Sequence, residues 1–160
     1  AFFSEAFAER SAKKTYVAVV CGGAPAPAEG QIDLALRKTT RRGVDLMEVA
    51  SGGQLALTLY RTLAATPLAA LVELNPETGR MHQLRVHLAA IGRPIAGDGK
   101  YGGLYRIGAI EIPRLMLHAC KLDLPYPDGG RRRFAAPLPI EFADVVRSLG
   151  LETPLASDSC

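Results

Sequence analysis

The densest run of chemically capable side chains is Thr78-Gly79-Arg80-Met81-His82-Gln83-Leu84-Arg85-Val86-His87. Two histidines invite a metal reading, and their spacing argues against it. At 3.6 residues per turn, positions i and i+5 stand about 140° apart around a helix, so His82 and His87 cannot ligate jointly as an i, i+4 pair does. No metal site is expected. Arg80 and Arg85, at the head of a helix, work against its macrodipole at a cost of about a few tenths of a kcal/mol each. That placement fits an anionic partner or a buried carboxylate, and it equally fits a solvated face, since arginine is a good helix former.

Other catalytic patterns fail. The glycines of Gly97-Asp98-Gly99-Lys100-Tyr101-Gly102-Gly103 lack the frame of a dinucleotide fingerprint or a phosphate loop. They read as a turn-rich loop in which Asp98 satisfies nearby backbone donors. Neither Ser51 nor Ser148 sits in a nucleophile elbow, and no cysteine has a recognisable histidine partner.

The elements that position the 78–87 run follow from periodicity. Leu84, Leu88 and Ile91 fall at i, i+4 and i+7, with Gly92 as a stop and Pro94 beyond it, which predicts the strongest helix in the chain. Phe3 and Phe7 share one face of a short N-terminal helix that needs a covering partner, and residues 140–149 form a last helix. Strands are expected at 15–21, a β-branched run stopped by Gly22-Gly23, at 31–38, at 68–74 and at 115–124. Residues 44–50 and 55–63 flank Ser51-Gly52-Gly53 and read as a hairpin. Without repeats or a dividing linker this is one α+β domain with a large antiparallel or mixed sheet over residues 1–150, and a tail at 151–160 expected to be loose.

The chain has 160 residues, 48% hydrophobic and 22% charged, enough for one sizeable core. Its 19 Lys and Arg against 16 Asp and Glu leave +3, a mild basicity that says nothing about polyanion binding unless the charges cluster. Cys21, Cys120 and Cys160 are odd in number and scattered, which reads as thiols in a reducing compartment, simplest as cytoplasm. Every apolar run is broken before the roughly 18 residues of a membrane helix, so no membrane association is expected.

The run PETGRMHQLRVHLAAIGRPIAGDGKYG at 76–102 closely resembles the motif of the RluA-type pseudouridine synthases, which isomerise uridine in ribosomal or transfer RNA. Lys13-Lys14-Thr15-Tyr16-Val17-Ala18 resembles that family's K-T-Y strand, and LMLHA at 115–119 and FAAPLP at 134–139 resemble its L-H-A and A-P-L-P segments. The match spans nearly the whole chain. It implies a bisected, largely antiparallel sheet with flanking helices and a cleft at its centre, RNA as partner, and no cofactor.

Carried over by position, the resemblance implies that Tyr16 packs against the target base and helps exchange its C5 proton. It implies that Arg85 pairs with the catalytic aspartate and that Leu117 closes the pocket beside the base. Lys14, Arg80, His82, Gln83 and Lys100 are then expected near the RNA, the histidines being structural or RNA-contacting. Arg131-Arg132-Arg133 fits a solvated hairpin tip as well as it fits RNA. The family's H-R-L-D-x-x-T-S-G motif, which carries the nucleophile, is absent. It belongs upstream of the K-T-Y strand, and the chain opens on Ala1 rather than Met, so the expectation is the C-terminal part of a catalytic domain, inactive alone. On that expectation the missing part supplies a central strand and covers the Phe3/Phe7 face. A non-catalytic RNA-binding remnant is the alternative, and substitution of the nucleophile by Asp98 or Asp45 a weaker one.

Overall fold

The computed structural model describes residues 1–8 and 11–160. In chain order the elements are α1 (Phe2–Ala8), β1 (Lys13–Cys21), β2 (Glu29–Asp33), β3 (Leu36–Arg41), β4 (Val44–Val49), β5 (Leu57–Ala65), β6 (Ala69–Pro76), α2 (Gln83–Ala90), a 3-10 turn (Gly99–Tyr101), β7 (Arg106–Ile107), β8 (Ile110–Glu111), β9 (Leu117–Pro125), β10 (Arg131–Ala135), α3 (Ile140–Ser148) and α4 (Pro154–Ser159).

A strand that is apolar on both faces belongs inside a sheet, and β1, buried from Val17 to Cys21, lies there. Among the described residues a six-stranded sheet runs β10-β9-β1-β6-β5-β2, and each neighbouring pair is antiparallel. The fold is α+β, as expected, with antiparallel rather than mixed pairing. Both sides of β1 are taken by strands of this chain, so the sheet's centre is filled without the strand expected from an upstream segment.

Cross-strand partners share a face, and the register makes the two faces explicit. Tyr16 lies between Leu74 and Ala119, Ala18 between Val72 and Leu117, and Tyr60 continues the row beyond Leu74. Thr58, two residues from Tyr60, bonds to His87 of α2, so α2 covers this face. His118 points the other way, and its ring lies 6.2 Å from that of Phe142, a fully buried residue of α3. The core therefore has two layers of helix and loop around one sheet.

The structure differs from expectation in four places. The strand expected at 31–38 breaks after Asp33 and resumes at Leu36, because the Leu34 carbonyl turns to accept from His87 and the Ala35 carbonyl from Ala50. The hairpin joins β3 to β4 across Arg42-Gly43, whereas β5 pairs with β2 and β6. Ser51-Gly52-Gly53 instead folds the chain back so that Gln54 pairs with Leu36. The tail is anchored, with Leu151 fully buried and α4 followed by a Cys120–Cys160 disulfide that spans 40 residues. Only Cys21 remains a thiol, so the reading of three free thiols is corrected. Side-chain geometry, not spacing, brings Cys160 back to β9. No helix among the described residues is long and apolar enough to cross a membrane.

Candidate active site

Tyr16 sits where β9 carries an extra residue, between the pairs Thr15↔Lys121 and Tyr16↔Ala119. Such a bulge bends a strand and re-aims its neighbours' side chains. Ala119 directly opposite is exposed, so the strip of sheet beside the phenol is open. Leu117, half-buried, lies on the same face one pair further along. Tyr16 lines a cavity of about 310 Å³ with Phe7, Lys14 and Phe134, and Leu117 is not among its walls. Burial raises the Tyr16 phenol above its usual value of 10, so it stays protonated at neutral pH.

Two polar networks organise α2. The inner one is closed. The Gln83 amide donates to the Leu57 carbonyl and to Thr58 Oγ1, both at 3.0 Å, and accepts from Thr78 Oγ1 at 2.7 Å and from the Arg80 backbone at 3.1 Å. His87 Nε2 lies 2.9 Å from the Leu34 carbonyl, which can only accept, so Nδ1 accepts from Thr58 Oγ1 at 2.9 Å. Burial lowers the His87 pKa below 6.5 and holds it in this neutral form. Gln83, one of the residues expected near the RNA, is buried with every amide hydrogen-bonding position used and ties α2 to β5.

The outer network begins at His82, whose backbone is left-handed at φ 53°, a rare state for a non-glycine residue. That twist turns the chain into α2 and puts Nδ1 2.7 Å from the Tyr101 hydroxyl. The hydroxyl accepts from the Met47 backbone N–H of β4 at 3.1 Å and still has its own proton to share with His82. Burial, then the charges of Arg85 and Lys100, lower the His82 pKa below 6.5 and keep it neutral for that bond. Arg85 lies over the Tyr101 ring at 5.1 Å and forks onto Asp98 through Nε at 2.9 Å and Nη2 at 2.8 Å. The Asp98 side chain is 0% exposed and that of Arg85 18%, so the pair is shut on the aspartate side and open on the other. Asp98 holds the guanidinium pKa above its usual value.

The arginine is thus set against a buried carboxylate, one of the two readings of its position, and Asp98 is a core ion-pair partner rather than a loop residue serving backbone donors. Sequence reasoning missed Asp98 and Tyr101; the only local signal was an Asp and a Tyr three apart among glycines. Asp98 is too enclosed to attack a substrate, and Asp45 is engaged by Lys38 and Thr40 on the hairpin.

Of the remaining basic candidates, Lys14 and Arg80 are brought together. Both line a cavity of about 700 Å³ with Phe7, Asn75 and Gly79, and Lys14 also lines the Tyr16 cavity. Arg80 spends only Nε, on the Leu55 carbonyl. Lys100 is exposed on the 3-10 turn beyond Asp98. By contrast Arg37 and Arg41 share Glu48, Arg131 and Arg133 share Asp123, and Arg132 bonds to Asp128, so the charge of these basic runs is offset only in part. Among the described residues no group of three or more His, Cys, Asp or Glu is arranged to hold a metal ion.

A family model described as RNA pseudouridylate synthase matches residues 2–90. The chain belongs to this family. An uncharacterized RNA pseudouridine synthase of Chloroflexus aurantiacus is 40% identical over 141 residues, covering 88% of this chain and 43% of that protein. The dual-specificity RNA pseudouridine synthase RluA of Escherichia coli is 41% identical over 133 residues, covering 82% and 59%. The chain thus spans about half the length of these curated relatives, and the likeness supports membership of the RluA type. The structure of human RNA Pseudouridylate Synthase Domain Containing 4 superimposes with a TM-score of 0.75 at 30% identity, covering 94% of this chain and 67% of that one.

Proposed function

We propose that the protein isomerises uridine in structured ribosomal or transfer RNA to pseudouridine, with the base turned out of its stack. The reaction breaks N1–C1′, turns the uracil and forms C5–C1′; the C5 proton is lost and N1 gains one, so it is redox-neutral and calls for no cofactor. Tyr16 takes the base: its ring offers a stacking face that offsets part of the unstacking cost, and its protonated phenol offers an O–H to the base edge. The phenol can take up the C5 proton only by passing its own onward. Leu117, one pair further along the same face, meets the apolar side of the turned-out base, and Lys14, Arg80, His82 and Lys100 meet the phosphates and the strand.

The open edge of Arg85 orients an attacking carboxylate and keeps it ionised. The resemblance implies that this carboxylate is the aspartate of the H-R-L-D motif; Asp98 and Asp45 are both committed elsewhere. The observation that carries the reading is a phenol on the exposed strip of the sheet face that α2 covers, with a partly exposed arginine on α2 itself. A cytoplasmic location accompanies the RNA substrate and no longer draws support from the cysteines.

The test is tritium release from C5-tritiated uridine in bulk ribosomal and transfer RNA. The 160 residues are assayed alone and within the full-length natural protein. Release only from the longer chain is expected. Release from the 160 residues alone moves the nucleophile into this chain, and silence from both overturns the reading.

A further inference from the structure

Asp98 and Tyr101 hold Arg85 from two sides, the carboxylate forking onto the guanidinium and the guanidinium carbon lying over the phenol ring at 5.1 Å. The fork on Asp98 uses the Nε and Nη2 edge. What remains unoccupied is the Nη1 side, directed by a group that cannot rotate without breaking two charge-assisted bonds. A guanidinium holds one orientation when its plane is clamped and its face is stacked, and planar bidentate pairing is the means by which arginine gains precision over lysine.

Tyr101 also ties the arginine to two other parts of the molecule. Its hydroxyl accepts the Met47 N–H of the β3–β4 hairpin and shares a hydrogen bond with His82, whose left-handed backbone starts α2. The ring packs beside Leu36, Met47, Ala56 and Val86, the small core that seats the hairpin. Hairpin, helix start and arginine therefore share one phenol.

We propose that Asp98 and Tyr101 are positioning residues for the reaction. Asp98 fixes the direction of the free Arg85 edge toward the attacking carboxylate, and Tyr101 couples that direction to the seating of the hairpin. This rests on the function proposed above. Neither residue touches substrate. Asp98→Asn keeps the shape and loses the charge, so Arg85 turns freely. Tyr101→Phe keeps the stacking face and loses the tie to Met47 and His82, and Tyr101→Leu loses both.

The experiment measures pseudouridine formation by the full-length protein, with kcat and KM for RNA resolved, together with folding by circular dichroism and the protection of the Arg85 Nε–H proton by NMR. A misaimed group costs about 100-fold in rate when displaced by about an ångström. The expected result is a kcat loss of that order in Asp98→Asn and Tyr101→Leu, a smaller one in Tyr101→Phe, KM nearly unchanged, and a fast-exchanging Nε–H in Asp98→Asn. A folded Asp98→Asn with wild-type kcat overturns the role of Asp98. Should that variant fail to fold, Tyr101→Leu decides, and wild-type kcat in it overturns the proposal. An unchanged set of variants in an active enzyme defeats this inference alone, whereas an inactive wild-type protein defeats it together with the function on which it stands.

Discussion

One helix carries two polar networks with opposite endings. Around Gln83, Thr58 and His87 every buried donor and acceptor finds a partner within the chain. Around Arg85, Asp98, Tyr101 and His82 the partners run out on one side, where the guanidinium meets solvent. A histidine stands in each, so type alone does not tell a structural polar group from a functional one. What separates them is unfilled hydrogen-bonding capacity on a partly exposed side chain.

The sharpest way to break this contrast is at the ion pair. Arg85→Ala strands a fully buried carboxylate, and unfolding by denaturant should show a loss of about 3–5 kcal/mol together with loss of activity. Thr58→Val in the closed network leaves His87 Nδ1 and one Gln83 N–H unpaired, for a stability loss of about 1–3 kcal/mol. In that variant kcat at a temperature where it is folded should match wild type; a large fall there would dissolve the distinction.

Acid provides a smaller and graded probe. Both His82 and His87 have pKa values lowered below 6.5 by burial. In the window below 6.5 the unfolded chain binds protons that the folded chain refuses, so stability is complete above it and falls as pH drops through it. Urea titrations from pH 7.5 to pH 5 should show that decline, and Thr58→Val, which frees the His87 Nδ1 site, should flatten it. Smallest of all is Glu48→Gln on the hairpin: its partners Arg37 and Arg41 are exposed, and the denaturation midpoint should not move.

Much of the frame was legible in the sequence because it depends on local periodicity. β1 announced itself by β-branched residues before two glycines, α2 by Leu84, Leu88 and Ile91 ahead of Gly92 and Pro94, and α3 by the pattern from Ile140. Pairing was not legible in the same way. Ser51-Gly52-Gly53 is a stronger turn signal than Arg42-Gly43, yet Arg42 adopts φ 50° and closes the true hairpin. The break at Leu34 and Ala35 was hidden because an alternating pattern continues through it, and its cause is a histidine 53 residues away. For the site, Tyr16, Arg85 and Leu117 came from the resemblance, whereas Asp98 and Tyr101 become visible only when a loop folds back under α2. Cys120 and Cys160 carried no motif because a cross-link across 40 residues has no local signature.

The arginines of β10 lie on the last strand of the sheet, where no further strand follows. Each is held in a salt bridge with Asp123 or Asp128, yet all three remain exposed along an edge with free backbone groups. Two copies of the chain meeting edge to edge there would bring three arginines against three across a strand spacing of about 4.8 Å. This border of the sheet thus carries its own deterrent to growth.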